Sequence, residues 1–273
     1  MAPVGSRESL AAAVEAGADA VYFGIEGLNM RSRSSSNFTL DDMSEIAAFC
    51  TGRGVRTYLP VNTIIYDEDV DRMHAIVDRA RQAGVSAIIA TDIATISYCA
   101  DTGMPVHIST QCNISNTEAV RFYARWADVV VLARELNMSQ VAEIHRHIQE
   151  DPILGPDGWP VRIEMFCHGA LCMAAYTVRD RETGEELDIE NQYIMSPKDL
   201  KTIHFLPEMV RAGVRVFKIE GRARGPEYVF ETVRCYSEAL QAICDGTYSD
   251  ALVRAWDQRL GKVFNRGFWN GYY

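Results

Sequence analysis

Short runs of β-branched and aromatic residues recur along this chain, and between them the apolar positions shift to helical spacing. "DAVYFG" (19–24) reads as a strand, and "TLDDMSEIAAFCTGRG" after it reads as a helix that opens on Thr39, with Asp41 and Asp42 in its first turn. "VRTYLPVN" leads into the helix "DEDVDRMHAIVDRARQAG", and "SAIIAT" into a helix through "ATISYCADTG". "PVHISTQ" is followed by "NTEAVRFYARW", and "ADVVVLA" by "NMSQVAEIHRHIQE". "VRIEMF" comes next, then a helix expected over "DLKTIHFLPEMVRAG". "VRVFKIEG" is the last clear strand, and "PEYVFETVRCYSEALQAIC" the last long helix. Several strand runs are apolar on both faces, as strands covered by helices must be.

This alternation predicts a parallel sheet. The strand runs number seven, and "MAPVG" followed by "SRESLAAAVEAGA" supplies the tail of a truncated first strand and its helix. Eight such units close a (β/α)8 barrel of the TIM type. The runner-up is an open wound sheet, but no glycine-rich dinucleotide fingerprint accompanies it. We expect a barrel domain over residues 1–250, then a helix and an aromatic, glycine-rich tail over 251–273 that packs on the barrel or leads to a further segment.

Composition narrows the class. The chain has 273 residues, 48% of them hydrophobic and 23% charged, an ordinary globular balance. No stretch is long enough to span a membrane, and the start lacks the basic-then-apolar pattern of a signal peptide. The seven cysteines are odd in number and scattered, unlike a secreted disulfide framework, so a cytoplasmic protein is expected. The formal charge of −10 argues against nonspecific nucleic-acid binding, although a local basic patch can sit on an acidic body.

In a parallel barrel the active site forms where strands hand over to their loops. Here those positions carry Arg31 and Arg33, Asn62, Gln111 and Asn113, Arg134 with Glu135, Cys167 with His168, and Glu220 with Arg222 and Arg224. Arg31, Arg134, Arg222 and Arg224 can hold a carboxylate or phosphate through forked bonds, or pair with rim glutamates. Glu220 and Arg222 share one face of an extended backbone, so Glu220 can serve as an acid–base group or orient the guanidinium. Asn62, Gln111 and Asn113 can read an amide or base edge, or tie down the mouth loops. His168 completes the catalytic candidates. Cys167 and Cys172 have four residues between them, which is not the spacing of a zinc knuckle or a redox pair. Neither "HExxH" nor "GxSxG" occurs.

At "FCHGALC", "YIMSPKDL" and "FKIEGRARGPEY" the chain resembles the peptidase U32 family, the collagenase-like peptidases. "APVGSRESLAAAVEAGADAVYFG", "HISTQCNISNTEAVRFY", "VVLAREL" and "VFNRGFWNGYY" extend the resemblance over nearly the whole length. It implies one of three roles. The first is oxygen-independent hydroxylation of an RNA base, a tRNA wobble uridine or an rRNA cytidine, with prephenate or a related donor. The second is a metal-dependent peptidase, and the third a non-catalytic subunit of a hydroxylase complex. It also implies a 4Fe-4S cluster, for which Cys172 is the first candidate ligand and Cys167 and Cys235 the others. Family members continue past "HGALC" into a cysteine-rich insert, whereas here "CMAA" runs straight into "YTVRDRETGEELD". We read two ends of a missing loop joined close to Ala175–Tyr176. A true deletion would remove the cluster and the hydroxylation with it.

Overall fold

The computed structural model describes residues 1–29, 38–170 and 198–273. Its centre is a closed ring of parallel strands: β1 (Ala2–Val4), β2 (Ala20–Phe23), β3 (Arg56–Val61), β4 (Ala87–Ala90), β5 (Val106–Ile108), β6 (Val129–Val131), β7 (Arg162–Ala170) and, after the short β8 (Asp199–Lys201), β9 (Val214–Ile219). Neighbours from β1 to β7 pair in sequence order, and β9 pairs with β7. The ring closes between β9 and β1, where the Met1 amino group donates to the Phe217 carbonyl at 2.7 Å and the Ile219 amide donates to the Met1 carbonyl at 3.1 Å. The expected eightfold barrel is therefore present, with a first strand of three residues.

Helices α1 (Arg7–Glu15), α2 (Asp42–Thr51), α3 (Val70–Gln82), α4 (Ile93–Thr102), α5 (Thr117–Tyr123), α6 (Met138–Glu150), α7 (Leu206–Arg211) and α8 (Pro226–Cys244) follow successive barrel strands and β8. Several begin on a polar cap just beyond a strand. Ser6 accepts from the Ser9 amide, Asp92 from Ala94 and Asn116 from Ala119, while Asn137 and Gln140 form a reciprocal capping box. The caps turn the chain at the barrel mouth and aim the helix N-termini there. The main core lies between barrel and helices, with side chains such as Met43, Ile76, Ile96, Val141, Met209 and Val229 against the outward faces of the strands.

Two expected elements are different. The N-cap position of α2 falls to Asp41 rather than Thr39, whose amide and hydroxyl donate to the Asp42 carboxylate instead. The helix read over "DLKTIHFLPEMVRAG" begins as strand β8, continues as a short 3-10 turn over Ile203–Phe205, and becomes α-helical only at Leu206, with Pro207 in its first turn. Tertiary pairing overrides local pattern here. β7 runs past its pairing with β6, and on that edge His168–Ala170 pair antiparallel with β8. After α9 (Asp250–Leu260), β10 (Phe268–Trp269) adds to the other edge of β8. Leu200, fully buried, then packs on Phe166 and Val131 with Trp269 and Tyr273 beside it. The aromatic tail thus lies against the mouth end of β7, where the Tyr273 hydroxyl donates to the Phe166 carbonyl at 3.3 Å.

Candidate functional site

Side chains alternate between the two faces of a strand, so each barrel strand sends every second residue inward. On the inner face most barrel strands carry bulky or polar groups. Ala20, Tyr22, Tyr58, Ala87 and Ile89 form a small inner cluster, and His107, Glu164, Phe166 and Lys218 share the lumen with it. Above them, at the strands' C-terminal ends, a cavity of about 120 Å³ opens. Asn62, Ser109, Gln111, Arg134, Glu220 and Arg222 line its wall, and Tyr22, Phe166 and Lys218 approach it from below.

The structure thus brings together five of the residues singled out by position: Asn62, Gln111, Arg134, Glu220 and Arg222. Each is held in place. The Thr91 hydroxyl donates to Gln111 Oε1 at 3.0 Å, and the Asn62 amide reaches Ser109 Oγ at 3.5 Å. Arg134 lies over the Phe166 ring, 5.1 Å from its centroid. Arg222 donates to Asn29 Oδ1 at 3.0 Å, and Asn29 in turn donates to the Ile25 carbonyl at 2.6 Å, so the buried Asn29 is one partner that orients Arg222. The Glu220 carboxylate sits 3.4 Å from the Tyr22 hydroxyl.

Glycines shape the rim where β7 and β9 end. Gly221 has φ +147°, and a Cβ there would lie 2.7 Å from the Tyr228 ring. Gly169 has φ +103°, and a Cβ would lie 2.5 Å from the Glu220 carbonyl. A side chain at Gly169 would push the end of β7 off the segment after β9 that carries Glu220 and Arg222, and one at Gly221 would press that segment against Tyr228 of α8.

Other candidates are elsewhere. Asn113 takes a left-handed conformation, φ 49°, after a 3-10 turn and is exposed outside the cavity lining. Arg224 turns toward the C-terminal tail, with its guanidinium 4.0 Å from the Phe264 ring centroid. His168 is fully buried behind the mouth, with Nδ1 3.3 Å from the Tyr236 hydroxyl and the rings of Tyr228, Tyr236 and Phe268 around it. Burial, and then the nearby Lys201 charge, push its pKa down to about 3. A histidine so placed stays neutral and packs. It lies outside the lining of the mouth cavity, with which its position in sequence associated it. Arg31, Cys172 and the Ala175–Tyr176 junction lie outside the described residues.

Cys167 and Cys235 face away from the mouth. Cys167 is on the outward side of β7, where its Sγ donates to the Lys218 carbonyl at 3.4 Å, and Cys235 is in the middle of α8 within the barrel–helix core. Burial raises both thiols to about 12. Cluster ligation needs thiols converging on one open space, and these two sit within the apolar layer between barrel and helices. The described cysteines do not fit a 4Fe-4S cluster. Among the described residues no group of three His, Cys, Asp or Glu side chains converges as a metal site.

Position alone missed the charged floor. Lys218 Nζ donates to Glu164 Oε1 at 2.8 Å, with both residues buried. His107 Nδ1 is 3.4 Å from the other carboxylate oxygen, an electrostatic contact beyond hydrogen-bond geometry. Burial alone would raise the Glu164 carboxyl, but Lys218 and His107 outweigh it and hold it at about 2. Burial depresses the His107 imidazole against the pull of Glu164. The signal was in the sequence: one charged residue stands inside each of two otherwise apolar runs, "IEMF" and "VFKI".

Comparison with known proteins places this geometry. The model of peptidase family U32 matches residues 5–177 and again 174–273. The two pieces meet at the Ala175–Tyr176 junction. A collagenase of Porphyromonas gingivalis is 59% identical over 300 aligned positions, covering 100% of this chain and 72% of that protein. The tRNA hydroxylation protein P1 of Bacillus subtilis is 30% identical, covering 97% of this chain and 68% of its own length. Among solved structures, the ribulose-1,5-bisphosphate carboxylase/oxygenase of Pyrococcus horikoshii superposes with a TM-score of 0.55 at 11% identity, over 93% of this chain and 58% of that one. That likeness concerns the barrel fold alone.

Proposed function

The chain belongs to peptidase family U32, and we propose that it is a cytoplasmic enzyme that hydroxylates an RNA base, a tRNA wobble uridine or an rRNA cytidine, without molecular oxygen. The observation that carries this reading is the make-up of the mouth cavity. Amide side chains able to read a base edge, Asn62 and Gln111, share it with the cations Arg134 and Arg222. A small carboxylate donor of the prephenate kind suits the cations, and an unstacked base suits the amides and the aromatic faces of Tyr22 and Phe166. In overall balance the base C–H becomes C–OH while the donor's C–OH becomes C–H, so the donor supplies both the oxygen atom and the oxidising equivalents. The Bacillus subtilis relative supports this reading by its name.

A second reading, peptidase, is favoured by the name of the Porphyromonas gingivalis relative. The described residues near the mouth speak against it. A nucleophile needs a base within hydrogen-bond reach, and the Cys167 thiol and the His168 imidazole are both buried in packing roles.

Mass spectrometry of nucleosides from total tRNA and rRNA of a deletion strain tests the proposal. One hydroxylated nucleoside should vanish and return on complementation. An unchanged nucleoside profile, with gelatin turnover by the purified protein abolished by a single substitution at the mouth, would instead establish the peptidase.

A further inference from the structure

Three strands place a titratable side chain in the lumen directly beneath the mouth: His107 from β5, Glu164 from β7 and Lys218 from β9. Only Lys218 of the three lines the cavity. The pair is therefore oriented, with the ammonium on the cavity side and the carboxylate on the closed side. A purely structural ion pair gains nothing from that polarity, and a buried pair is weak evidence of stabilisation in any case.

The ammonium also has capacity to spare. It carries three N–H donors, and Glu164 takes one at 2.8 Å. Tyr22 and Phe166 present ring faces 5.0 and 5.5 Å from Nζ, which stabilise a cation without consuming a directed hydrogen bond. Glu164 is itself shared, with His107 3.4 Å from its second oxygen. The floor thus presents the ammonium end of a compensated ion pair in a place of low dielectric, and Arg134 and Arg222 stand in the wall above it.

We propose that Lys218 is the floor cation of an oxyanion subsite. The cavity takes a small oxygen anion, carboxylate or phosphoryl, with one oxygen on Lys218 Nζ, and Glu164 and His107 are positioning residues that hold the ammonium in line. This deepens the functional reading above and rests on it only in taking the mouth as the binding site.

Calorimetric titration with sodium malonate and with sodium phosphate, at fixed ionic strength, tests it. Lys218→Met is the direct variant. Because it strands Glu164, the double variant Lys218→Met/Glu164→Leu, which removes both charges, is measured beside it, with its fold checked by circular dichroism. Lys218→Arg is the conservative replacement, and Arg215→Met, an exposed change on the same strand, is the control. The wild type should bind at least one probe. Affinity should fall about tenfold or more in both Met variants, the scale of one charge-assisted contact, and recover largely in Lys218→Arg. Malonate alone bound marks a carboxylate subsite, and phosphate alone a phosphoryl one. A wild type that binds neither probe, or a folded double variant that binds within twofold of wild type, overturns the proposal. The RNA reading stands or falls separately on the nucleoside profile.

Discussion

The two faces of strand β7 differ as much as any two regions of the molecule. Inward, Glu164 and Phe166 meet Lys218, His107 and Arg134 around a polar cavity. Outward, Ile163, Met165 and Cys167 enter the apolar layer beneath the helices. Neighbours in sequence thus occupy opposite chemical worlds, one built on a compensated charge and the other on close packing. The difference teaches that a cysteine at a strand's mouth end is a site residue only if its parity along the strand turns it inward. By parity Cys167 belongs to the core and Glu164 to the lumen.

The largest expected effect breaks the inner side. Glu164→Leu leaves Lys218 charged and buried without its carboxylate, and should cost about 3–5 kcal/mol in urea unfolding. Adding Lys218→Met should restore most of that loss. A single variant as stable as wild type would mean that water already reaches the pair, and the contrast between the faces would collapse.

Acid sharpens the same contrast. The unfolded chain protonates His168 near 6.5, but the folded chain only near 3, so between those values the unfolded state binds more protons. Stability should therefore fall as pH drops through this window, by about 1.4 kcal/mol per pH unit from this group. Glu164 adds to the slope below its unfolded value of 4.5 and down to about 2, since its carboxylate must be protonated on unfolding. In denaturant titrations across pH 6.5 to 4.5, His168→Gln should flatten the curve.

On the outer side the effects are smaller and concern packing. Cys167→Ala and Cys235→Ala should each cost about 1–2 kcal/mol, the scale of a small core cavity, with no change in anion binding at the mouth. The least perturbing test is alkylation of the native protein. The exposed Cys244 should react with iodoacetamide well before Cys167 and Cys235, both fully buried, as read by peptide mass spectrometry. Early labelling of Cys167 would place it at an accessible site and overturn its assignment to the core.

Much of the fold was legible because the barrel repeats one local rule: an apolar run, a polar cap, then a helical stripe. Asn137 with Gln140, and Asp92, announce their helices in the sequence itself. β8 was not legible. "DLK" has no strand partner nearby in sequence, and only the extension of β7 on one side and β10 on the other make it a strand. The wall of the site was legible for a related reason: Asn62, Gln111, Arg134, Glu220 and Arg222 all follow strands whose ends a barrel gathers at one mouth.

The sequence by itself thus determined the alternation of strands and helices, the barrel it closes into, and the set of polar residues carried to one end, since each follows from periodicity within a few residues. Only the tertiary structure decided which of those residues share a cavity, and why Lys218 lies on its floor over Glu164 while Cys167 and His168 are packed out of reach. Such pairings join residues such as Glu164 and Lys218, 54 positions apart. They depend on strand parity, register and the closing of the ring, which no local window of sequence contains.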